Sequence, residues 1–570
     1  MSRDNSEKLK RFNISGIPLI KSVSDCLNLK HIFSKHIPSY GNETVPVIDS
    51  LMLLIWNITL GRQPLYELSE WVKTIDPKCH GLDEQSVNSF NDDRFGRALD
   101  KLYLCDRATL MTEIVLKMIK SVNLDMSRIH NDSTTIKAYG KIAGVTKNGL
   151  KMAHGNNKDH RPDLVHLVFS LTISSDGAVP VHYKTYPGNR TDDTTHIETW
   201  DAVRGIAGTS DFTYVADCKV CTSKQLSYIV ANGGRVITVM PETWKESKIF
   251  KEELLIKKIA KKMILKKQLP ENNPEFQYFS VFSGKYTTLS DGYTIYWYYS
   301  SQKRKIDSIH RDKRVKKADT ELFDLSFKLN KKKLITLEQI SQEIDSLLNK
   351  YKVKAFFNIT VCTNIEETKI QIGKGRPGPN TKYESISKTS YSLVWEIDKK
   401  RLTAEGNTDG IFPLLSTDKS FSAKEVLLAY KYQPRLEKRF NQFKSVHEAA
   451  PLLFKNIERV EAIMFLFFMA LLIQGVIERK VRMSMKEKDI KSLPIYPEYR
   501  KAFYPTTSKI FYNFDQISSY KIIEGGKVIK EFKDSLSSTQ KTILNLLGMD
   551  ENQYWGMDAV DMQRELNQEK

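Results

Sequence analysis

Between Ser127 and Pro241 the chain carries a succession of segments that few folds can accommodate. Three extended, β-branched stretches come first, RIHNDSTTI, LVHLVFSLTIS and AVPVHYKTY, with turn signals at Pro162 and at Asp176-Gly177. A helical stretch follows, TDDTTHIETWDAVRGIAG, then the short apolar strand FTYVAD, the glycine-closed helix TSKQLSYIVANGG and the strand RVITVMP. The predicted order is β-β-β-α-β-α-β. With three antiparallel strands first, the right-handed crossover after the third brings strand four beside strand one. Asp132 in strand one and Asp217 at the end of strand four are then neighbours. Carboxylates held side by side repel unless a cation lies between them, and paired divalent metals about 3.5 to 4 Å apart are a recurrent arrangement for attack at phosphorus. Such a site calls for a third carboxylate nearby.

A chain of 570 residues is too long for one core and implies several folding units, roughly one per 150 residues. Residues 46–120 show helical periodicity, so 1–120 is expected to be an all-helical N-terminal domain, and because a metal core acting at phosphorus reads no sequence, this separate module is the candidate for binding DNA ends. The β-β-β-α-β-α-β unit fills 121–241. Residues 242–415 interrupt it with basic stretches expected as helices (KKIAKKMILKK, RDKRVKKADTELFDL, LEQISQEIDSLLNKY) and aromatic strands (FQYFSVF, YTIYWYYSS, FFNITVCT, YSLVWEI). This is expected to be a β-rich insertion domain. Helix resumes at Ser422, which with Glu425 has capping-box spacing, and Pro434 starts a second helix. The second part of the core is placed at 416–485, and the tail 486–570 has mixed character.

The balance of 87 Lys+Arg against 68 Asp+Glu leaves a net charge of +19, which favours a polyanionic partner, nucleic acid or an acidic membrane. Ala462–Ile477 is apolar except for Gln474 and Gly475, but a spanning helix needs about 20 such residues, and charges close both ends. It is expected to be a buried core helix, with no membrane partner. The opening MSRDNSEKLKRFNIS has no secretory pattern and the 6 cysteines are scattered, so a reduced, cytoplasmic protein is expected. Cys218-x2-Cys221 has no second pair at zinc spacing and is expected to be buried at a strand-to-helix turn. Gly373-Lys-Gly375-Arg-Pro-Gly378 has the letters of a dinucleotide fingerprint, but Pro377 and Pro379 prevent a helix there. It reads as a basic loop suited to touching DNA.

The segment Tyr430-Lys-Tyr-Gln433-Pro-Arg-Leu-Glu437, continuing through KRFNQF to Lys444, resembles the signature Tyr-x2-Arg-x3-Glu-x6-Lys of the DDE transposases of bacterial insertion sequences, the IS-four-like superfamily. The stretch 155–164, GNNKDHRPDL, is similar to that family's lead into its second strand. PGNRTD at 187–192 is similar to the turn after it, and IERVEAIMFLFFMALL to its core helix. The resemblance covers about residues 127–480. It implies an α/β fold, a ribonuclease-H-like mixed sheet with flanking helices, interrupted by the β-rich insertion. It further implies Asp132, Asp217 and Glu437 as catalytic residues and as ligands of two Mg²⁺ ions, with Mn²⁺ able to substitute. Tyr430, Gln433 (where the family has arginine) and Lys444 become DNA-binding candidates. Seven residues separate Glu437 from Lys444, nearly two helical turns, so one face is expected to carry both.

The implied partners are double-stranded DNA, the terminal inverted repeats and a target duplex, with a homodimer in the DNA complex as one arrangement. The setting would be the bacterial cytoplasm at the nucleoid. The implied activity is metal-dependent cleavage at element ends followed by strand transfer. Two other readings stand beside it: a structure-specific nuclease without strand transfer, and a catalytically silent DNA-binding relative, against which the presence of all three acids argues. Asp159, Asp163, Asp192 and Asp193 are expected to be solvated or structural loop acids.

Overall fold

The computed structural model describes residues 8–556 except 39–42, 44, 62, 140–141, 143, 156–160, 162, 269–275, 332, 448, 450–453 and 525–526. The chain is mixed α/β with several sheets and divides into two units, Met1–Thr238 with Leu427–Lys570, and Val239–Val426.

In the first unit, five strands lie in the spatial order Pro180–Pro187, His166–Ser174, Arg128–Lys137, Thr213–Ala216, Arg235–Val239. The first three are antiparallel and the last two join in parallel. Helices His196–Ala207 and Ser223–Ala231 make the crossovers, so the sequence order β-β-β-α-β-α-β is present as expected. All nine residues of His166–Ser174 are buried, the polar Ser170, Thr172 and Ser174 as fully as the apolar residues between them, because both faces of the strand are covered. Phe169 stacks on Phe443 at 4.5 Å and Tyr183 on Phe468 at 4.9 Å, so aromatic side chains of this sheet meet the segments that follow Glu437.

Helix Ile457–Glu487 is the centre of this unit. It is long and apolar enough to cross a membrane, yet 94% of its apolar window is buried inside the protein. Its neighbours include the N-terminal helices: Phe33 meets Phe465 edge-on at 6.0 Å, and Gln474 Nε2 donates to the Thr59 carbonyl at 2.9 Å. At its start Arg459 makes a two-pronged contact with Asp100, 2.7 Å on each prong, and Glu461 pairs with Arg107 at 2.6 Å. The N-terminal region is not all helical. Lys8–Asn13 forms an antiparallel strand with Ser518–Glu524, which pairs in turn with Lys527–Lys533. Buried Asp76 holds this small sheet through Lys521 at 3.0 Å and the Ser519 hydroxyl. Local periodicity could not show this strand, because its partner lies some five hundred residues away.

The second unit has an antiparallel sheet in the order Ile411–Ser416, Thr294–Ser300, Phe276–Phe282, Lys261–Gln268, with Tyr286–Thr287 also beside Thr294–Ser300. The expected helix KKIAKKMILKK is corrected here. Helix ends at Ile256, and Lys261–Gln268 is an edge strand on Phe276–Phe282. A lysine-rich sequence suits such an edge because its charges oppose further pairing, and the aromatic strand offers a partner that helix propensity does not anticipate. Helices Ser301–Ser326 and Leu337–Tyr351 pack through Ala318, Leu322, Ile340 and Leu348 against the root of a long two-stranded ribbon, Phe357–Gln371 with Tyr383–Ile397.

Candidate functional site

The parallel register pairs Arg128 with Thr213, Ile129 with Tyr214 and His130 with Val215. Carried two residues further, the same offset puts Asp132 level with Asp217, the first residue after its strand, on strands that lie about 4.8 Å apart. Both side chains then project from the same face of the sheet. Asp132 is half-buried, and its Oδ1 accepts from the Ser133 N–H at 2.7 Å. Asp217 caps the tight turn Cys218–Val220, accepting from the Lys219 N–H at 2.9 Å, and its side chain is 40% exposed. Of the cysteine pair only Cys221 is buried. Cys218 sits at the surface of the turn, where its thiol is pushed up by burial and by the Asp217 charge.

Glu437 lies in the first turn of helix Pro434–Asn441, exposed, with its side chain in no hydrogen bond or ion pair among the described residues. Two contacts set this helix against the sheet. Just before it, Gln433 is buried: its Nε2 donates to the Asn131 carbonyl at 3.1 Å and its Oε1 accepts from His130 Nδ1 at 3.1 Å. Farther along, buried Arg439 pairs with Glu478 at 3.0 Å and donates to the carbonyls of Ala178 at 2.9 Å and Gly177 at 3.3 Å. Burial alone would raise the Glu478 carboxyl, but Arg439, Arg482 and the Thr507 N–H and hydroxyl hold it below its ordinary value.

Tyr430 lies in the same region as the candidate acids. Its phenol is pushed up to about 12, chiefly by burial, and then by the negative fields of Asp217, Cys218, Glu437 and Asp132. One side chain therefore feels all three acids. Among the described residues, no three His, Cys, Asp or Glu side chains stand close enough to share one ion. Carboxylates are the donors a hard divalent cation takes, and the three candidates are not gathered around one such position.

The remaining sequence-derived candidates fall as follows. Gln433, expected at DNA, is placed inside, its amide used to fasten the Glu437 helix to the Asp132 strand. Lys444 is half-exposed within Gln442–Val446, which is π-helical, so the α-helical count that put it on the face of Glu437 stops at Asn441. Asp163 is exposed and pairs with Arg161 at 2.7 Å, which holds its carboxyl down at about 2, and Asp193 is exposed at the surface. Asp159, the Asp192 side chain and most of 155–164 lie outside the described residues.

His196 escaped the sequence reading. Buried at the start of its helix, it places Nε2 at 3.9 Å from Asp217 Oδ1 while Nδ1 meets the Tyr214 hydroxyl at 3.1 Å. No spacing marks it, because its proximity to Asp217 arises from the crossover between two strands.

The family described as "Domain of unknown function (DUF4277)" matches residues 9–116. No curated protein matches the chain. A solved structure described as a piggyBac transposase synaptic complex with hairpin DNA is similar to this chain with a TM-score of 0.34 and 8% identity, covering 87% of this chain and 76% of that one.

Proposed function

We propose that the chain is a DDE-type transposase with a ribonuclease-H-like core, cutting DNA at the ends of an insertion sequence and joining the freed ends to a target duplex. The observation that supports this most is the level register of Asp132 and Asp217 on adjacent parallel strands, with Glu437 on a helix tied to the Asp132 strand through Gln433. The strand order with its two parallel additions and the net charge of +19 support it further.

Asp132, Asp217 and Glu437 would hold the divalent ions, Mg²⁺ or Mn²⁺. When bound, such ions lower the pKa of an attacking hydroxyl and stabilise charge on phosphate oxygens. The chain's own groups divide the rest. Gln433 and Arg439 fix the Glu437 helix at the sheet. Buried His196 stands 3.9 Å from the Asp217 carboxylate and would favour its charged form when protonated. The Tyr430 phenol, pushed up to about 12, keeps its proton at neutral pH and can donate a hydrogen bond to a phosphate oxygen. Lys444, half-exposed beyond Asn441, would be the cation offered to a phosphate further along the strand.

The test is nicking of duplexes carrying the element's ends, with Mg²⁺, Mn²⁺, Ca²⁺ or chelator, by wild type and by D132N and D217N. Cleavage with Mg²⁺ or Mn²⁺ only, lost in both variants, is expected, and full cleavage in excess chelator overturns the reading. Pre-cut ends offered with a target duplex separate a transposase from a nuclease that stops at hydrolysis.

A further inference from the structure

The ribbon of the second unit is unusual in how little of it is covered. Its strands pair without interruption from Phe357↔Ile397 to Gln371↔Tyr383. The root is packed: Phe357 and Leu393 are buried, and Ile359, Val361, Tyr391 and Trp395 lean on the two helices beneath. From Thr363 outward, both faces are exposed, down to Ile365 at 65% and Ile370 at 52%. Nine residues at strand rise give this free part a reach of about 30 Å. A two-stranded hairpin exposed on both faces is only marginally stable in water, and its open edges invite pairing. Such an arm is expected to have an occupant.

Charge at the tip points to the occupant, the acids Glu366, Glu367 and Glu384 lying behind it on the strands. Residues 369–382 carry Lys369, Lys374, Arg376 and Lys382 and no acid. Among the described residues no acid pairs with Lys374, Arg376 or Lys382, and all three are exposed. The apex has a defined shape: Ile372 N–H bonds the Lys382 carbonyl at 2.8 Å, Gln371 Nε2 donates to the Gly375 carbonyl at 3.0 Å, and the Gly378 N–H to the Thr381 hydroxyl at 2.7 Å. Gly373 and Gly375, at φ +106° and +144°, make a turn that L-residues resist. A built, basic apex on a two-stranded ribbon matches duplex DNA, whose major groove, about 12 Å wide, admits such a ribbon while its phosphate rims meet the cations. The deep, narrow major groove of duplex RNA does not.

We infer that the ribbon 357–397 is a DNA-gripping arm that seats its distal half in the major groove of a duplex, with Lys374, Arg376 and Lys382 on phosphates. The inference concerns how duplex is held and extends beyond the chemistry of the acidic site. Its test uses the full chain, wild type against K374Q/R376Q/K382Q, binding a random-sequence DNA duplex across a salt series. Three lost phosphate contacts are expected to reduce the slope of log K against log salt by about 2.7. Because all three side chains are exposed, the melting temperature is expected to stay at the wild-type value. A slope changed by less than about 0.5, or the same loss on duplex RNA, overturns the arm. Loss of a wild-type dimer by light scattering with the DNA slope intact also overturns it and makes a second copy the occupant. The transposase reading fails separately, if D132N and D217N still cut.

Discussion

The side-chain amide of Gln433 donates to the main-chain carbonyl of Asn131 at 3.1 Å, one residue before Asp132 and one helical turn before Glu437. This bond, with its companion to His130, sets the distance between a strand acid and a helix acid. An arginine at 433 could reach outward to a phosphate. The glutamine is used inward, so the geometry of the carboxylates depends on a neutral hydrogen-bonded bridge.

Replacing Gln433 with Met leaves the His130 Nδ1 and the Asn131 carbonyl buried without their partner, at a cost of about 1 to 3 kcal/mol. Thermal or urea unfolding is expected to register that loss. Cleavage is expected to fall while affinity for duplex stays within about twofold, since Gln433 does not reach the surface. Unchanged stability would show that the bridge is not formed in solution.

Glu437→Gln is expected to behave in the opposite way. The side chain is exposed, so stability should move by no more than about 0.5 kcal/mol, while the loss of a charged ligand abolishes cleavage. A folded E437Q protein cutting at the wild-type rate would remove Glu437 from the site.

Arg439→Ala removes one of the two ion-pair partners of the Glu478 carboxylate, which is 4% exposed and keeps Arg482 at 3.1 Å. Breaking one side of a buried ion pair costs about 3 to 5 kcal/mol. The double variant R439M/E478M, which removes both charges, is expected to be more stable than R439A in the same urea titration. A milder effect of R439A than of the double variant would contradict this burial account.

His130 and His182 are buried and held neutral, each pushed down to about 4, mainly by burial. The unfolded chain takes up these protons near pH 6.5 and the folded chain only near 4. Stability is therefore full above about 6.5, falls as pH drops through that window, and levels off below 4 as far as these groups are concerned. The limiting slope is about 1.4 kcal/mol per pH unit for each histidine. Urea midpoints from pH 7 to 4.5 in wild type and H182Q measure this, with the variant expected to show the shallower fall.

Much of the first unit was legible in the sequence because its signals are local. Alternation and turn residues marked the strands from Arg128 to Val239, and charges at both ends of Ala462–Ile477 marked a buried helix. Asp132 and Asp217 could be paired in advance because the handedness of a crossover is a general property of L-polypeptides. Glu437 came from a signature of residue types, which says what groups are present but not how a side chain turns.

Tertiary structure decided the rest, since partners distant in sequence set it. The lysine-rich run 261–268 became strand because an aromatic strand was there to receive it, and Lys8–Asn13 did so because Ser518–Glu524 returns beside it. Gln433 turned inward because burial left its amide only His130 and Asn131 to bond, and an unpaired buried amide is costly. His196 reached Asp217 only once the crossover helix was laid against the strands. Periodicity along a chain records which face of an element avoids water; which polar groups then meet across that face depends on packing that no single segment encodes.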